Sequence, residues 1–153
     1  MDTGTGGRWS GDDNRRVAKR RTRRAGGDES GRPCPCGAGP AYEECCGALH
    51  QGRTVAATAE ALMRSRFTAY AVGDPGYLLR TWHSRTRPAR LALDPADRWT
   101  RLDILDTERG GLFDTAGIVE FRAHYRHSGR PGELHERSRF GREDGQWRYL
   151  DAG

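Results

Sequence analysis

The sequence contains no apolar run close to the roughly 18 residues that a membrane-spanning helix requires. It also opens without the apolar segment of a secretory signal. Acidic residues interrupt its basic N-terminal stretch, at Asp12, Asp13, Asp28 and Glu29, which argues against a transit peptide. These absences predict a cytoplasmic protein without a membrane span. Structural disulfides are rare in that reducing compartment.

The short motifs of common enzyme classes are absent as well. There is no nucleophile elbow, no Walker loop and no dinucleotide-binding glycine fingerprint. The sequence therefore makes no positive case for an enzyme. A chain of 153 residues, with 35% hydrophobic and 31% charged residues, is typical of one compact domain with some flexible sequence.

The formal net charge of +5 lies mostly in the N-terminal tail. Residues 1–33 carry nine basic against five acidic residues, whereas residues 34–153 carry seventeen against sixteen. The stretch RRVAKRRTRR, Arg15–Arg24, places seven positive charges in ten residues. Such a cluster can contact the ribosome or RNA through counterion release. We favour the alternative, a solvated and disordered leader over residues 1–31.

All four cysteines lie in the stretch RPCPCGAGPAYEECCGALH: Cys34, Cys36, Cys45 and Cys46. A tetrahedral zinc site requires four soft ligands, and thiolates meet that requirement. Prolines and glycines exclude a regular element here, and they allow a tight loop to bring the first two cysteines against the last two. Four protein ligands leave no open position on the metal, which indicates a structural ion.

Three other interpretations of the cysteines fit less well. A disulfide framework suits a secreted chain, and no secretory signal is present. A redox pair more commonly has the spacing Cys-x-x-Cys, and common iron–sulfur motifs have other spacings. We therefore predict one Zn²⁺ bound by a knuckle at residues 32–50.

Beyond the knuckle the pattern is first helical. Apolar residues recur at spacings of three and four: Leu62, Met63, Phe67 and Tyr70. Thr58 is the expected N-cap of this helix and Gly73 its end. Asp74 followed by Pro75 predicts the start of a second helix, with Leu78, Leu79 and Trp82 on its apolar side. The segment LDPADRWT predicts a further helical turn near Pro95.

After Trp99, apolar and polar residues alternate. The segments RLDILDTE, GIVEFRAHYRH, LHERSRF and QWRYLD are predicted strands, and HSGRPGE and EDG are the turns that connect the last three. Helices followed by antiparallel strands predict an α+β fold over residues 55–153.

The motif CPCGAGPAYEECCG resembles the SEC-C motif at the C-terminus of the SecA translocation ATPase, a zinc knuckle that contacts a chaperone and the ribosome. Cys46 stands where that motif usually has His, and Ala38 where it usually has Ser. The segments TAEALMRSRFTAYAVGD, YLLRTWH, LDILDTE, VEFRAHYRH and LHERSRFGREDGQWRYLD are similar to the YchJ family of small bacterial proteins.

The YchJ resemblance covers about residues 33–151. It implies a SEC-C knuckle followed by a cone-like domain of helices on a curved antiparallel sheet, resembling nuclear transport factor two. It also implies one structural Zn²⁺, but no particular activity. Domains of this type often form a homodimer through the outer face of the sheet.

The strand LHERSRF contains the one candidate catalytic residue, Glu136. Alternation places four side chains on one face: Leu134, Glu136, Ser138 and Phe140. If Leu134 and Phe140 face the core, Glu136 faces the cone cavity. Desolvation there raises a carboxyl pKa and suits a general acid or base. We favour the structural alternative, in which Glu136 pairs with a helix arginine such as Arg64 or Arg66.

Three functions remain compatible with the sequence. The favoured one is a non-enzymatic zinc-binding adaptor whose knuckle docks on a protein or ribonucleoprotein partner. The second is a small-molecule-binding or enzymatic pocket that uses Glu136, with the knuckle as a stabilising lid. The third is a purely structural zinc that compensates for a small core, and it can coexist with either of the others.

Overall fold

The computed structural model describes residues 32–153, so the predictions for the leader at residues 1–31 lie outside the described residues. The described chain begins with the knuckle, continues with two helices and ends with four strands. The knuckle contains a 3₁₀ turn, Tyr42–Glu44, and a short helix α1, Cys46–His50, so the prediction that it has no regular element is wrong for its second half, which follows the last of its prolines. The remaining elements are α2 (Ala59–Val72), α3 (Pro75–Arg80), β1 (Asp97–Arg109), β2 (Ala116–His127), β3 (Arg130–Glu143) and β4 (Gln146–Asp151).

Local capping determines where the two main helices begin and end. The Thr58 hydroxyl accepts a hydrogen bond from the Ala61 N–H at 3.0 Å, which caps α2. Gly73, with φ of 79°, ends that helix in the left-handed conformation. The Asp74 carboxylate accepts from the Tyr77 N–H at 3.1 Å and caps α3. These predicted helix boundaries are confirmed.

The helical turn predicted near Pro95 is wrong. Pro95 and Ala96 form a turn, in which the Asp94 carboxylate accepts from the Ala96 N–H at 2.9 Å. Strand β1 begins immediately afterwards, and Trp99 pairs with Tyr125 of β2. A local side-chain hydrogen bond and a long ladder therefore override the helical pattern.

The second helix is also shorter than predicted, since α3 ends at Arg80. Trp82 lies beyond it and forms an isolated parallel bridge with Tyr149 of β4.

The strands form one antiparallel sheet in the order β1-β2-β3-β4, and α2 packs on one of its faces. The core between them contains Leu62, Met63 and Phe67 from the helix and Leu102, Val119, Phe121, Ala123, Phe140 and Trp147 from the sheet. The predicted α+β class is confirmed. No helix among residues 32–153 is long and apolar enough to cross a membrane.

The opposite face of the sheet carries ion pairs. The Arg137 guanidinium contacts the carboxylates of Asp106, Glu108 and Glu120. Glu120 also accepts a hydrogen bond from His135 at 2.7 Å. Each solvated pair contributes little stability, but together they make this face polar. A homodimer through the outer face remains a prediction, and polar contacts would have to hold it.

Candidate metal centre

The first two cysteines lie in a tight loop. The Cys34 N–H donates to the Pro40 carbonyl at 3.3 Å, and the Gly37 N–H donates to the Cys34 carbonyl at 3.1 Å. Gly37 and Gly39 have φ values of 80° and 118°, conformations that a residue with a Cβ rarely adopts. The chain therefore turns back toward the second cysteine pair, as the Gly/Pro pattern predicts.

The four cysteine sulfurs all lie within 4.8 Å of one another. The Sγ atoms of Cys36 and Cys45 are 3.6 Å apart, and all four cysteines are free thiols. A tetrahedral site with metal–sulfur bonds of about 2.3 Å has sulfur–sulfur edges of about 3.8 Å. The spacing, the burial and the soft donors thus fit one four-coordinate metal ion.

Two of the four packed thiols resist ionisation, whereas hydrogen bonds with Cys36 and Cys46 lower the pKa of Cys34. Burial, together with the neighbouring Cys36, raises the pKa of Cys45 to about 12. Hydrogen bonds with Cys34 and Cys36, together with burial, raise the pKa of Cys46. A bound divalent metal supplies the positive charge that holds such sulfurs as thiolates. The close packing of four sulfurs is therefore suited to a metal ion.

Helix α2 supports the cysteine loop through a stripe of polar side chains that sequence reasoning missed. The Arg64 Nη1 donates to the Cys36 carbonyl at 2.7 Å, and its Nε donates to Glu60 at 3.0 Å. The Thr68 hydroxyl lies 3.7 Å from the Cys34 sulfur. Glu60, Arg64 and Thr68 follow one another at intervals of four, and this spacing is the signal that would have found them.

His50, the last residue of α1, forms a hydrogen bond to α2. Its Nε2 donates to the Ser65 carbonyl at 2.9 Å, and its Nδ1 accepts from the Tyr42 hydroxyl at 2.8 Å. Both ring nitrogens are therefore engaged, which leaves neither for a metal. The Arg80 guanidinium donates to the His50 carbonyl at 2.5 Å. Hydrogen bonds thus join the knuckle to both α2 and α3.

The structure corrects two expectations about the face of β3 that carries Glu136. Ser138 and Phe140 are buried, as predicted, but Leu134 is 42% exposed because β3 extends beyond the helices that cover the sheet. Neither predicted arginine pairs directly with Glu136: Arg64 lies at the knuckle, and residues 32–153 contain no ion pair to Glu136 within 4.0 Å.

Arg66 instead fills the space between α3 and the sheet. It is 3% exposed, and its Nη1 donates to the Leu78 carbonyl and the Thr81 hydroxyl, both at 2.7 Å. The guanidinium carbon lies 5.1 Å from the Trp82 ring centroid and 4.6 Å from that of Tyr149. The Tyr149 hydroxyl then donates to Glu136 at 3.5 Å. Tyr149 therefore stands between the two charged groups.

The Glu136→Gln variant tests whether the carboxyl carries an uncompensated charge. Burial raises the pKa of Glu136, so the folded chain holds this proton more tightly than the unfolded chain. The stabilisation that the proton provides is present at low pH and is lost as pH rises through the raised pKa. We expect the melting temperatures of wild type and variant to converge in acid, and the variant to melt a few degrees higher above neutral pH.

Thermal denaturation between acidic and slightly alkaline pH checks this expectation. A variant that melts below wild type at neutral pH would show that a cation, such as Arg66, compensates the carboxylate.

The chain thus combines a knuckle of four cysteines with an α+β domain in which a helix packs on an antiparallel sheet. The family model described as the YchJ middle NTF2-like domain matches residues 58–152. The chain belongs to the YchJ family.

Relatives and solved structures agree with this assignment. A UPF0225 protein of Streptomyces coelicolor is 62% identical over 120 residues, covering 78% of this chain and 94% of the relative. One from Corynebacterium glutamicum is 52% identical over 119 residues, with the same coverage of 78% and 94%. The solution structure of a SEC-C motif containing protein from Rhodopseudomonas palustris is similar, with a TM-score of 0.67 and 34% identity over 77% of this chain and 94% of that one.

A crystal structure of a SEC-C motif containing protein from Psychrobacter arcticus has a TM-score of 0.65 and 25% identity, covering 80% of this chain and 82% of that one. The knuckle and the sheet domain are thus found together in the solved structures as well.

Proposed function

We propose that the protein is a non-enzymatic zinc-binding adaptor whose knuckle presents a fixed surface to a protein or ribonucleoprotein partner. The observation that carries this proposal is the contrast between the inside and the outside of the knuckle. Three of its four cysteines are buried, and four sulfurs leave no coordination position for a substrate. Zinc in such a site shapes the loop rather than catalysing a reaction.

The outside of the knuckle is free to make contacts. Residues 37–40, with the sequence GAGP, are exposed, and so are Glu43 and Glu44. Small side chains allow a partner's backbone to approach closely, while the two carboxylates favour a basic partner. Because Arg64 and His50 anchor the knuckle to α2, its surface is preorganised and loses little entropy on binding.

Affinity capture tests the adaptor function. The zinc-loaded chain is used as bait in a lysate of the bacterium that produces it, alongside the variants Cys45→Ser/Cys46→Ser and Glu43→Arg/Glu44→Arg. The first variant removes two ligands, while the second changes only exposed charges and is expected to keep its metal. We expect both variants to lose the same partner.

Arg130→Glu is the matched control, because it reverses a charge at the far end of β3. If both knuckle variants retain every partner of the wild type, the knuckle is not the docking surface. Contact of Arg15–Arg24 with the ribosome or RNA is a separate and less favoured prediction, and these residues lie outside the described ones.

A further inference from the structure

The four cysteines of the knuckle differ in their exposure to solvent. Cys34, Cys36 and Cys46 are 4%, 0% and 1% exposed, whereas Cys45 is partly exposed. An oxidant that approaches the knuckle from solvent therefore contacts Cys45 first. A sulfur that holds a metal is a thiolate, and the thiolate is the form of cysteine that peroxides oxidise. Exposure thus distinguishes one of four chemically similar sulfurs.

Helix α2 packs against two of the buried cysteines. The Thr68 hydroxyl lies 3.7 Å from the Cys34 sulfur, and the Arg64 guanidinium donates to the Cys36 carbonyl at 2.7 Å. Cys45 instead follows directly after the exposed end of the 3₁₀ turn. The difference in exposure therefore results from the way the knuckle packs on the helix.

A second sulfur lies close enough to Cys45 to form a disulfide with it. The Sγ atoms of Cys36 and Cys45 are 3.6 Å apart. A disulfide bond is about 2.05 Å long, so a relative movement of roughly 1.5 Å joins the two sulfurs. The loop between them has room for this movement, because no other heavy atom lies within 4 Å of where a Cβ would stand on Gly37 or Gly39.

We propose that Cys45 is an oxidation site through which hydrogen peroxide makes the knuckle release its metal. The Cys45 thiolate attacks one oxygen of the peroxide, the O–O bond breaks, and hydroxide leaves, so that Cys45 becomes a sulfenic acid. The Cys36 thiolate then attacks the Cys45 sulfur and displaces a second hydroxide. The product is a Cys36–Cys45 disulfide, and the pair of electrons that the two thiolates lose reduces the peroxide.

The disulfide removes two of the four metal ligands. A disulfide sulfur is no longer a thiolate, and the remaining pair, Cys34 and Cys46, cannot enclose the ion. Because Cys45 is partly exposed, a dithiol can reduce the bond and restore the site. This inference goes beyond the proposed function, since it concerns the metal site alone and requires no partner.

Treatment of the zinc-loaded full-length protein with hydrogen peroxide tests the proposal. A chromogenic chelator measures the zinc released, and a parallel sample contains dimedone, which reacts with sulfenic acids. We expect about one equivalent of zinc to be released for each disulfide formed, and the dimedone adduct to lie on Cys45. Reduction with dithiothreitol should restore zinc binding in the sample without dimedone.

Proteolysis locates the disulfide. No Lys or Arg lies between Cys36 and Cys45, so trypsin leaves all four cysteines in one peptide. Cleavage after Glu44 instead separates Cys34 and Cys36 from Cys45 and Cys46, and only a disulfide keeps the two fragments together. Alkylation of free thiols before digestion should mark Cys34 and Cys46 in the oxidised protein, which mass spectrometry detects.

Two matched variants compare the exposed cysteine with its buried neighbour. Cys45→His and Cys46→His each keep three thiolates and replace the fourth with an imidazole, which is also a zinc ligand. We expect peroxide to release zinc at least about tenfold more slowly from Cys45→His than from Cys46→His, because only Cys45→His lacks the exposed sulfur. Dimedone labelling of the wild type decides the question even if a variant fails to bind zinc.

Several results would overturn the proposal. They are a dimedone adduct that forms on a buried cysteine before Cys45, a first disulfide other than Cys36–Cys45, and equal rates of zinc release from two zinc-loaded variants. A wild type that keeps its zinc in excess peroxide, or that binds no zinc, would overturn it as well. Failure of the adaptor function changes none of these measurements, because none of them involves a partner.

Discussion

The Cys45→Ser/Cys46→Ser variant is expected to carry less than about a tenth of an equivalent of zinc, against one equivalent in the wild type. Two serine hydroxyls replace two of four thiolates, and the remaining pair, Cys34 and Cys36, cannot enclose the ion. Elemental analysis of protein purified without added metal measures both values. A wild type with less than about half an equivalent of zinc, or with iron in its place, would contradict the assignment.

His127→Ala is the matched control for the metal analysis. Among residues 32–153, the second group of side chains that could hold a metal ion consists of His127, Asp94 and Asp97, and it is partly exposed. The His127 Nδ1 already bonds Asp97 at 2.7 Å. Zinc content should therefore remain at one equivalent in this variant. A lower zinc content would show that the metal binds at this group and not at the knuckle.

Loss of the metal should also loosen the knuckle from α2. A ligand present at a thousand times its dissociation constant stabilises a fold by about 4 kcal/mol, and tight zinc binding reaches that regime. We expect chelation to lower the melting temperature of the wild type and to speed amide exchange at Cys36 and His50. The Cys45→Ser/Cys46→Ser variant should be insensitive to the chelator. Equal sensitivity of both proteins would place the stabilising metal elsewhere.

The Arg66→Ala variant is expected to lose about 3 kcal/mol of unfolding free energy. The substitution removes two hydrogen bonds from a cation and its stacking against Trp82 and Tyr149. Burial lowers the pKa of Arg66 to about 10, so the group is still charged at neutral pH. Arg66→Lys should lose part of this energy, because an ammonium cannot reproduce a planar group between two rings.

Urea denaturation measures these losses. Arg90→Ala, on an exposed segment, is the control and should change stability by less than about 0.5 kcal/mol. A double-mutant cycle with Glu136→Gln should give a coupling below about 1 kcal/mol, because Tyr149 separates the two groups. A loss below about 1 kcal/mol in Arg66→Ala, or a larger coupling, would contradict this account.

Features set by neighbours in sequence were predictable. Thr58 and Asp74 cap helices through bonds three residues away, and alternation located the strands of the sheet. The cysteines identified the knuckle because their chemistry leaves few alternatives. The turn at Pro95 was missed because a ladder with β2, more than twenty residues away, competes with the local helical pattern.

Partners across long separations were not predictable. Arg64 and Arg66 lie two residues apart in one helix, yet one supports the knuckle and the other packs against the sheet. The sequence shows that both are arginines on an inward-facing helix, but not which element lies over each. Leu134 was misplaced for a similar reason, since alternation predicts a face but not how far the helices cover it.

The residues that hold the knuckle in place are all synthesised before the sheet. Arg64, Ser65 and Arg80 provide these bonds, and all three precede the first strand in the chain. Translation adds residues at about 5–20 per second and delivers the N-terminal part first. The cysteine knuckle and its supporting helices therefore leave the ribosome before any strand, so the four cysteines could take up a metal ion while the sheet is still being synthesised.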